Sequence, residues 1–318
     1  MNRRPRRSGF VLLLVLVLVM LAGVALAVVA RQSVAAAVEA RTEVEQWQRR
    51  WAVRSSRAAF YGRIESVLDT AERGRSLGHG RADRPTNPAR RGPEYRNDPT
   101  PVHRVACRLA GIDYELVFTD EQAGLNVNRL LKRRTRGQAQ QQVQRLVTPY
   151  QPPSADERVQ VRLRPMADKD TSTQMPSLGS YSQVFDNVTA RQLVGQARGR
   201  GVAQPVTCWG ADRVNIRRAP DRVIRAQCDR EISGPLLQQL LAIRDEDPYR
   251  SLNDMLSELD HADADERQRL RRYLTDTSRT HGLWVICRGS QRMWYSLTIE
   301  VAADRSPDRL IGRYEFTW

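Results

Sequence analysis

Twenty-one consecutive residues, Phe10 to Ala30, carry no charge and are mostly Val, Leu and Ala. As a helix rising 1.5 Å per residue, such a run reaches about 32 Å, enough to cross the hydrocarbon core of a bilayer. Ahead of it stands MNRRPRRSG, with four arginines and no acid. That charge step predicts a cytoplasmic N-terminus, a single transmembrane helix over 10–30, and the rest of the chain on the other side of the membrane. A secretory signal peptide remains an alternative, because Ala25, Leu26 and Ala27 form a small-x-small cleavage site.

The run is long for a signal peptide, and it passes into an amphipathic pattern. Val34 and Val38, then Val44, Trp47 and Trp51, then Phe60, Ile64, Val67 and Ala71 recur at three- and four-residue steps. This predicts one helix from about 10 to about 73, its second half packed on a globular domain. Trp47 and Trp51 are expected in that domain's own core, ahead of a partner surface.

Composition narrows the class. The chain has 318 residues, is 41% hydrophobic and 27% charged, and carries a formal net charge of +15. That excludes a disordered or collagen-like chain. A basic balance ordinarily points to nucleic acid or an anionic membrane. Here Lys132 and Lys169 are the only lysines among 51 basic residues, and the arginines run along the whole chain. This is a compositional habit rather than a patch, so nucleic acid is disfavoured as a partner.

Residues 74–101 are rich in Gly, Pro and Arg and read as a loop. Strands follow: Val105, Cys107 and Leu109, then Ile112, Tyr114, Leu116 and Phe118. A matching set stands at the far end: Leu283, Val285 and Cys287, then Met293 to Val301 on odd positions, then Leu310, Tyr314, Phe316 and Trp318. Alternation of this kind predicts an antiparallel sheet with one buried face, which the amphipathic helix covers. The expected fold is α+β: residues 31–128 with 279–318 form one domain, interrupted by a mostly helical insertion over 129–278. Within it, Asn128 is expected to cap a helix over 129–147, Asn187 or Thr189 one over 190–198, and Ser251 with Asp254 one over 252–260. Ser233 precedes a helix start at Pro235, and residues 149–182 read as a linker or long loop.

GLNVN at 124–128 and RVNIR at 213–217 form a weak internal repeat, Asn between apolar residues before a helical stretch. Both read first as strand-to-helix turns, since Asn bonds its local backbone. Catalytic patterns are missing: the four histidines, at 79, 103, 261 and 281, form no His-Glu-x-x-His, and there is no Cys-x-x-Cys, Walker or Gly-x-Ser-x-Gly motif. They read as solvated or locally bonded, and Asp260, Asp263, Asp265 and Glu266 as a solvated helix start. The expectation is a non-enzyme. Cys107 with Cys287 and Cys208 with Cys228 are candidate disulfides. Buried free thiols are an equal alternative.

A basic leader ending at Gly9, followed by Phe10 and a long apolar helix, resembles a type IV pilin-like leader cut between those two residues by prepilin peptidase. Leu14, fifth after the cut, stands where most such proteins carry Glu. DEQAGLNVN at 120–128, with Asp120, Glu121, Asn126 and Asn128, resembles the "DE-x-G-x-(I/L)-N-(L/V)-N" segment of the type II secretion minor pseudopilin K family. WGADRVNIRRAP at 209–220, with Asn215, resembles that family's "V-N-(I/V)-N-T-A" segment. LLQQLLAIRDEDPYRSLNDMLSEL at 236–259 and TDTSRTHGLWVICRG at 275–289 resemble its later elements, in order.

The resemblance implies a membrane-anchored subunit at the tip of a periplasmic pseudopilus. Its implied partners are I- and J-type minor pseudopilins, the major pseudopilin and prepilin peptidase. Members of that family can bind calcium in the globular region, which needs hard carboxylate ligands, so calcium stays open here. Those ligands do not map here: the family's acidic segment is missing, although Asp168 and Asp170 lie near its place. The second motif also departs, with Arg217 and Arg218 in place of Asn-Thr. A membrane-anchored DNA-binding or DNA-uptake protein with helix-hairpin-helix-like modules stays open as the other reading.

Overall fold

The computed structural model describes residues 8–78, 101–109, 112–151, 158–165, 177–195, 201–229, 231–260, 262–289, 292–303 and 306–317. The chain forms two compact units, Met1–Ser55 and Ser56–Trp318.

The first unit is helical. Helix α1 (Ser8–Phe60) contains the whole uncharged run. Every large apolar side chain from Phe10 to Val29 is exposed, the surface a lipid-facing helix presents. Among the described residues it is the one helix long and apolar enough to cross a membrane. Trp47 and Trp51 are 66% and 51% exposed, so the expectation that they sit in their own domain's core fails.

The single helix expected to residue 73 is also broken. A turn at Tyr61–Arg63 ends α1, and α2 (Ile64–Gly78) begins anew. Gly62 has φ +64°, left-handed backbone that glycine adopts without a Cβ clash and that no helix continues through. Helix α2 thus covers the first residues of the loop expected from residue 74, and 79–100 lies outside the described residues.

The second unit is built on five strands: β1 (Val102–Leu109), β2 (Ile112–Asp120), β9 (Thr280–Arg288), β10 (Met293–Ala303) and β11 (Ser306–Thr317). They pair antiparallel in the order β1-β2-β9-β10-β11. The fold class is α+β, as the alternation predicts. The faces are a correction. Residues opposite one another in register share a face. Leu116 pairs with Val285, and Phe118 with Leu283, on the face where α2 buries Ile64 and Leu68. Val117 pairs with Trp284, which pairs with Leu297, on the other face, and these pack into the core between sheet and insertion. From Thr280 to Cys287 every residue is buried. The sheet is covered on both sides, so the odd-numbered apolar residues of β9 and of β10 point to opposite faces.

The chain leaves the sheet after Asp120 and re-enters at Thr280. Between lie β3 (Leu125–Asn126), α3 (Val127–Arg133), α4 (Arg136–Val147), β4 (Gln160–Val161), β5 (Phe185–Asp186), α5 (Ala190–Val194), β6 (Val206–Thr207), β7 (Val214–Asn215), α6 (Asp221–Cys228), α7 (Gly234–Glu246), α8 (Leu252–Ser257), α9 (Ala264–Tyr273) and β8 (Leu274–Thr275). Three two-residue ladders tie distant segments: β3 with β6 and β7 with β8 in parallel, β4 with β5 antiparallel.

Several caps differ from expectation. Asn126, not Asn128, caps α3, and Thr135 with Gln138 opens a separate α4 through a capping box. Thr189 with Gln192 caps α5, and Ser251 caps an α8 shorter than expected. Asp263 and Glu266 form the capping box of α9, which accounts for two of the four carboxylates read as a solvated helix start. The 149–182 segment is no free linker: its described parts bury Val159, Val161, Leu163, Leu178 and Tyr181.

Candidate functional site

Helix α2 places Glu65, Asp69 and Glu72 at steps of four and three residues, so the three carboxylates share one helix face. They converge on a single guanidinium. Arg218, its side chain 1% exposed, meets Glu65 Oε2 through Nη1 at 2.7 Å, Asp69 Oδ1 through Nη2 at 2.5 Å and Glu72 Oε1 through Nε at 2.6 Å. Nη1 also lies 3.3 Å from Asp120 Oδ2, at the end of β2. All of these bonds are charge-assisted, which makes them stronger than neutral ones.

Asp120 is where the two sequence motifs meet. Its Oδ2 accepts from Asn215 Nδ2 at 2.9 Å and from Ser278 Oγ at 2.6 Å, while Oδ1 accepts from the Gln122 amide. Asn215 Oδ1 in turn accepts from the Arg217 amide, which fixes the turn that aims Arg218. Arg217 stands over the ring of Tyr249 and reaches Glu72 at 3.4 Å. His281 on β9 contacts Glu65 Oε2 through Nε2 at 2.6 Å. It is buried and held by a residue 216 positions away, neither solvated nor locally bonded as expected of the histidines. His103 lies on β1, stacked on Phe118, while His79 and His261 lie outside the described residues.

Electrostatics follow from this crowding. Burial pushes the pKa of Glu65 up, but the hydrogen bond and charge of His281 and the charge of Arg218 outweigh it, and the carboxyl is lowered to about 2. For Arg218 burial opposes the charged form, yet the surrounding carboxylates win and hold the guanidinium even more firmly protonated than usual.

Glu121, one residue on, belongs to a different environment. Its carboxylate is buried without a cation and accepts from Thr119, Tyr181 and Thr207 hydroxyls at 2.8, 3.0 and 3.0 Å. Burial raises its pKa, and the three hydroxyls only partly offset that. Gly282 is required beside it, because a Cβ there would run into Thr119 Oγ1 and the Glu121 carboxylate.

The other motif asparagines tie loops. Asn126 donates to the carbonyls of Trp209 and Gly210, and Asn128 donates to Leu178 and Cys208 while accepting from the Leu178 amide. Of the sequence-predicted residues, Asp120 and Asn215 are brought into one cluster, while Glu121, Asn126 and Asn128 serve neighbouring contacts. Gly9 and Phe10 lie in the first turns of α1, far along the sequence from all of these. Sequence reasoning missed Arg218, Glu65, Asp69, Glu72 and Ser278. The signal available was the acidic stripe 65, 69, 72 in a basic chain, and the doubled arginine directly after the second motif.

Of the two readings of the cysteines, disulfides or buried thiols, the structure has no disulfide at Cys107, Cys208, Cys228 or Cys287, and Cys107 is exposed rather than buried. Cys107 and Cys287 each pair in register with Tyr114, so strand β2 stands between them. Two ladder spacings of about 4.8 Å exceed what a disulfide spans. For calcium, no group of three or more His, Cys, Asp or Glu among the described residues is placed to hold a metal ion. The acids of the hub already surround a guanidinium, and Asp168 and Asp170 lie outside the described residues.

No protein-family model matches the chain, and no curated protein sequence matches it. Among solved structures, the chain is similar to one in the crystal structure of the GspK-GspI-GspJ complex from the enterotoxigenic Escherichia coli Type 2 Secretion System. Identity is 16%, the match covers 85% of this chain and 99% of that chain, and the TM-score is 0.38.

Proposed function

We propose that this chain is a K-type minor pseudopilin of a type II secretion system. It sits at the tip of the pseudopilus, nucleates pseudopilus assembly and so contributes to protein export across the outer membrane. The observation that carries this reading is the N-terminal arrangement: a basic leader ending at Gly9, then Phe10 opening an uncharged helix, with Leu14 where related subunits carry an acid. A carboxylate in lipid is costly without a partner. A subunit with none below it at that position is suited to start a filament rather than to extend one.

On this reading prepilin peptidase removes residues 1–9 and Phe10 becomes the N-methylated first residue. The helix anchors the chain in the inner membrane with a cytoplasmic N-terminus. The globular part lies in the periplasm, with 31–128 and 279–318 as the pilin-like portion and 129–278 as the insertion. The partners are I- and J-type minor pseudopilins and the major pseudopilin. The exposed Trp47 and Trp51, beyond the lipid-spanning run, supply a large apolar helix face for them. Ala22, Gly23 and Ala27 supply a small-residue face inside the membrane. The Arg218 hub is structural: it ties α2 to the sheet and the insertion.

The test is co-expression with I- and J-type subunits and capture through a tag on this chain. Stoichiometric capture in detergent, weakened by Trp47→Ala with Trp51→Ala, supports the reading. No capture of either subunit contradicts it.

A further inference from the structure

Away from the hub, an open cleft lies between α3, α6 and the turn after α6, with about 650 Å³ of empty space, part of it open to solvent. Three arginines line it: Arg129, Arg133 and Arg134. We propose that this cleft is a binding site for a small oxyanion, a carboxylate or a phosphate.

Arg129 is buried, yet its Nε has no hydrogen-bond partner. Its Nη1 donates to the backbone carbonyl of Asp212, whose carboxylate lies 3.5 Å off and is largely exposed. Among the described residues Arg133 has no carboxylate partner, and it lies over the Tyr273 ring at 4.8 Å. Arg129 stands over the same ring at 5.4 Å. Two guanidinium groups thus share one aromatic ring. Burial lowers the pKa of Arg129; the charge of Asp212 opposes this only in part, and the charge of Arg133 adds to the lowering. Arg134 is matched closely, by Asp229 at 2.9 Å, whereas Arg129 has only the longer contact to the largely exposed Asp212 carboxylate.

A planar guanidinium presents paired N–H groups that fit carboxylate or phosphate oxygens. An anion between Arg129 and Arg133 would relieve their repulsion and add charge-assisted bonds. Asp229 and Glu231 line the cleft as well, and they repel an extended polyanion such as nucleic acid.

The test is equilibrium dialysis of radiolabelled inorganic phosphate against the full chain in neutral detergent, with succinate as competitor. One phosphate per chain is expected. Arg133→Gln is expected to weaken binding roughly tenfold, the loss of one charged hydrogen bond. Glu231→Gln is expected to strengthen it, a gain that misfolding cannot imitate. Arg191→Gln, on α5 away from the cleft, leaves it unchanged. Competition by succinate makes the site a general oxyanion site, and absence of competition makes it a phosphate site; either supports the proposal. No saturable phosphate binding, or binding indifferent to both Arg133→Gln and Glu231→Gln, overturns it.

Discussion

Asn215 donates its side-chain amide to Asp120 at 2.9 Å, although 95 residues separate them. Both are buried, and both come from sequence segments that stand out for their Asn and acidic content. Their union closes the insertion onto the end of β2. Ser278, two residues before β9, bonds to both of them, so exit and return of the insertion are fastened at one point.

Arg218 is the cation that makes this junction tolerable. Removing one partner of a buried ionic cluster leaves uncompensated charge and costs about 3–5 kcal/mol. Arg218→Met is expected to destabilise the chain on that scale, because Asp120 and three acids of α2 lose their common partner. Arg217→Met, at a less buried site, should cost no more than about 1 kcal/mol. Adding Asp120→Asn to Arg218→Met should recover part of the loss. Denaturant unfolding in detergent, followed by tryptophan fluorescence, measures all three.

Acid should loosen the same junction in a defined window. Glu65 has its carboxyl lowered from an ordinary 4.5 to about 2. A depressed acid contributes stability that is present above the ordinary value and lost as pH falls through the folded one. The contribution of Glu65 is therefore expected to hold above pH 4.5 and to fade towards pH 2. Glu65→Gln should flatten the stability curve in that interval.

Glu121 should behave in the opposite sense. Its folded pKa is raised by burial, so its contribution is full in acid and is lost as pH rises through the folded value. Glu121→Gln keeps the shape and the acceptor oxygen without the charge. The variant is expected to be more stable than the parent at about pH 8 and no more stable at about pH 4. Equal stability differences at both pH values would contradict the assignment.

The thiols divide by exposure. Cys107 is exposed, whereas Cys208, Cys228 and Cys287 are buried. Burial pushes Cys228 up to about 12 and raises Cys208 as well. The thiolate is the reactive form. Native protein should therefore take up one equivalent of iodoacetamide quickly, at Cys107, and the other three only after denaturation. A non-reducing peptide map should show no Cys107–Cys287 or Cys208–Cys228 link.

Much of the architecture is legible in the sequence because it rests on local periodicity. The uncharged run, the strand alternation and the α+β arrangement all follow from residue spacing. What spacing does not convey is which elements cover which. Alternation in β9 suggests one buried face, but Trp284 and Ile286 are as buried as Leu283 and Val285, because α2 and the insertion cover opposite sides. Gly62 sat in plain view within an apparently continuous helix, outweighed by the apolar pattern on either side of it. The hub stayed hidden for another reason. Its four acids and one arginine lie up to 153 residues apart, and only the tertiary fold selects Arg218 from among the 51 basic residues.

The central claim is that Phe10 is the first residue of a mature pilin-like subunit. The measurement is the intact mass of the membrane-extracted chain, expressed with and without an active prepilin peptidase. The account predicts loss of residues 1–9 only when the peptidase is active, with one added methyl on Phe10. Retention of Met1 to Gly9 in both cells, or a cut after Ala27, would contradict it.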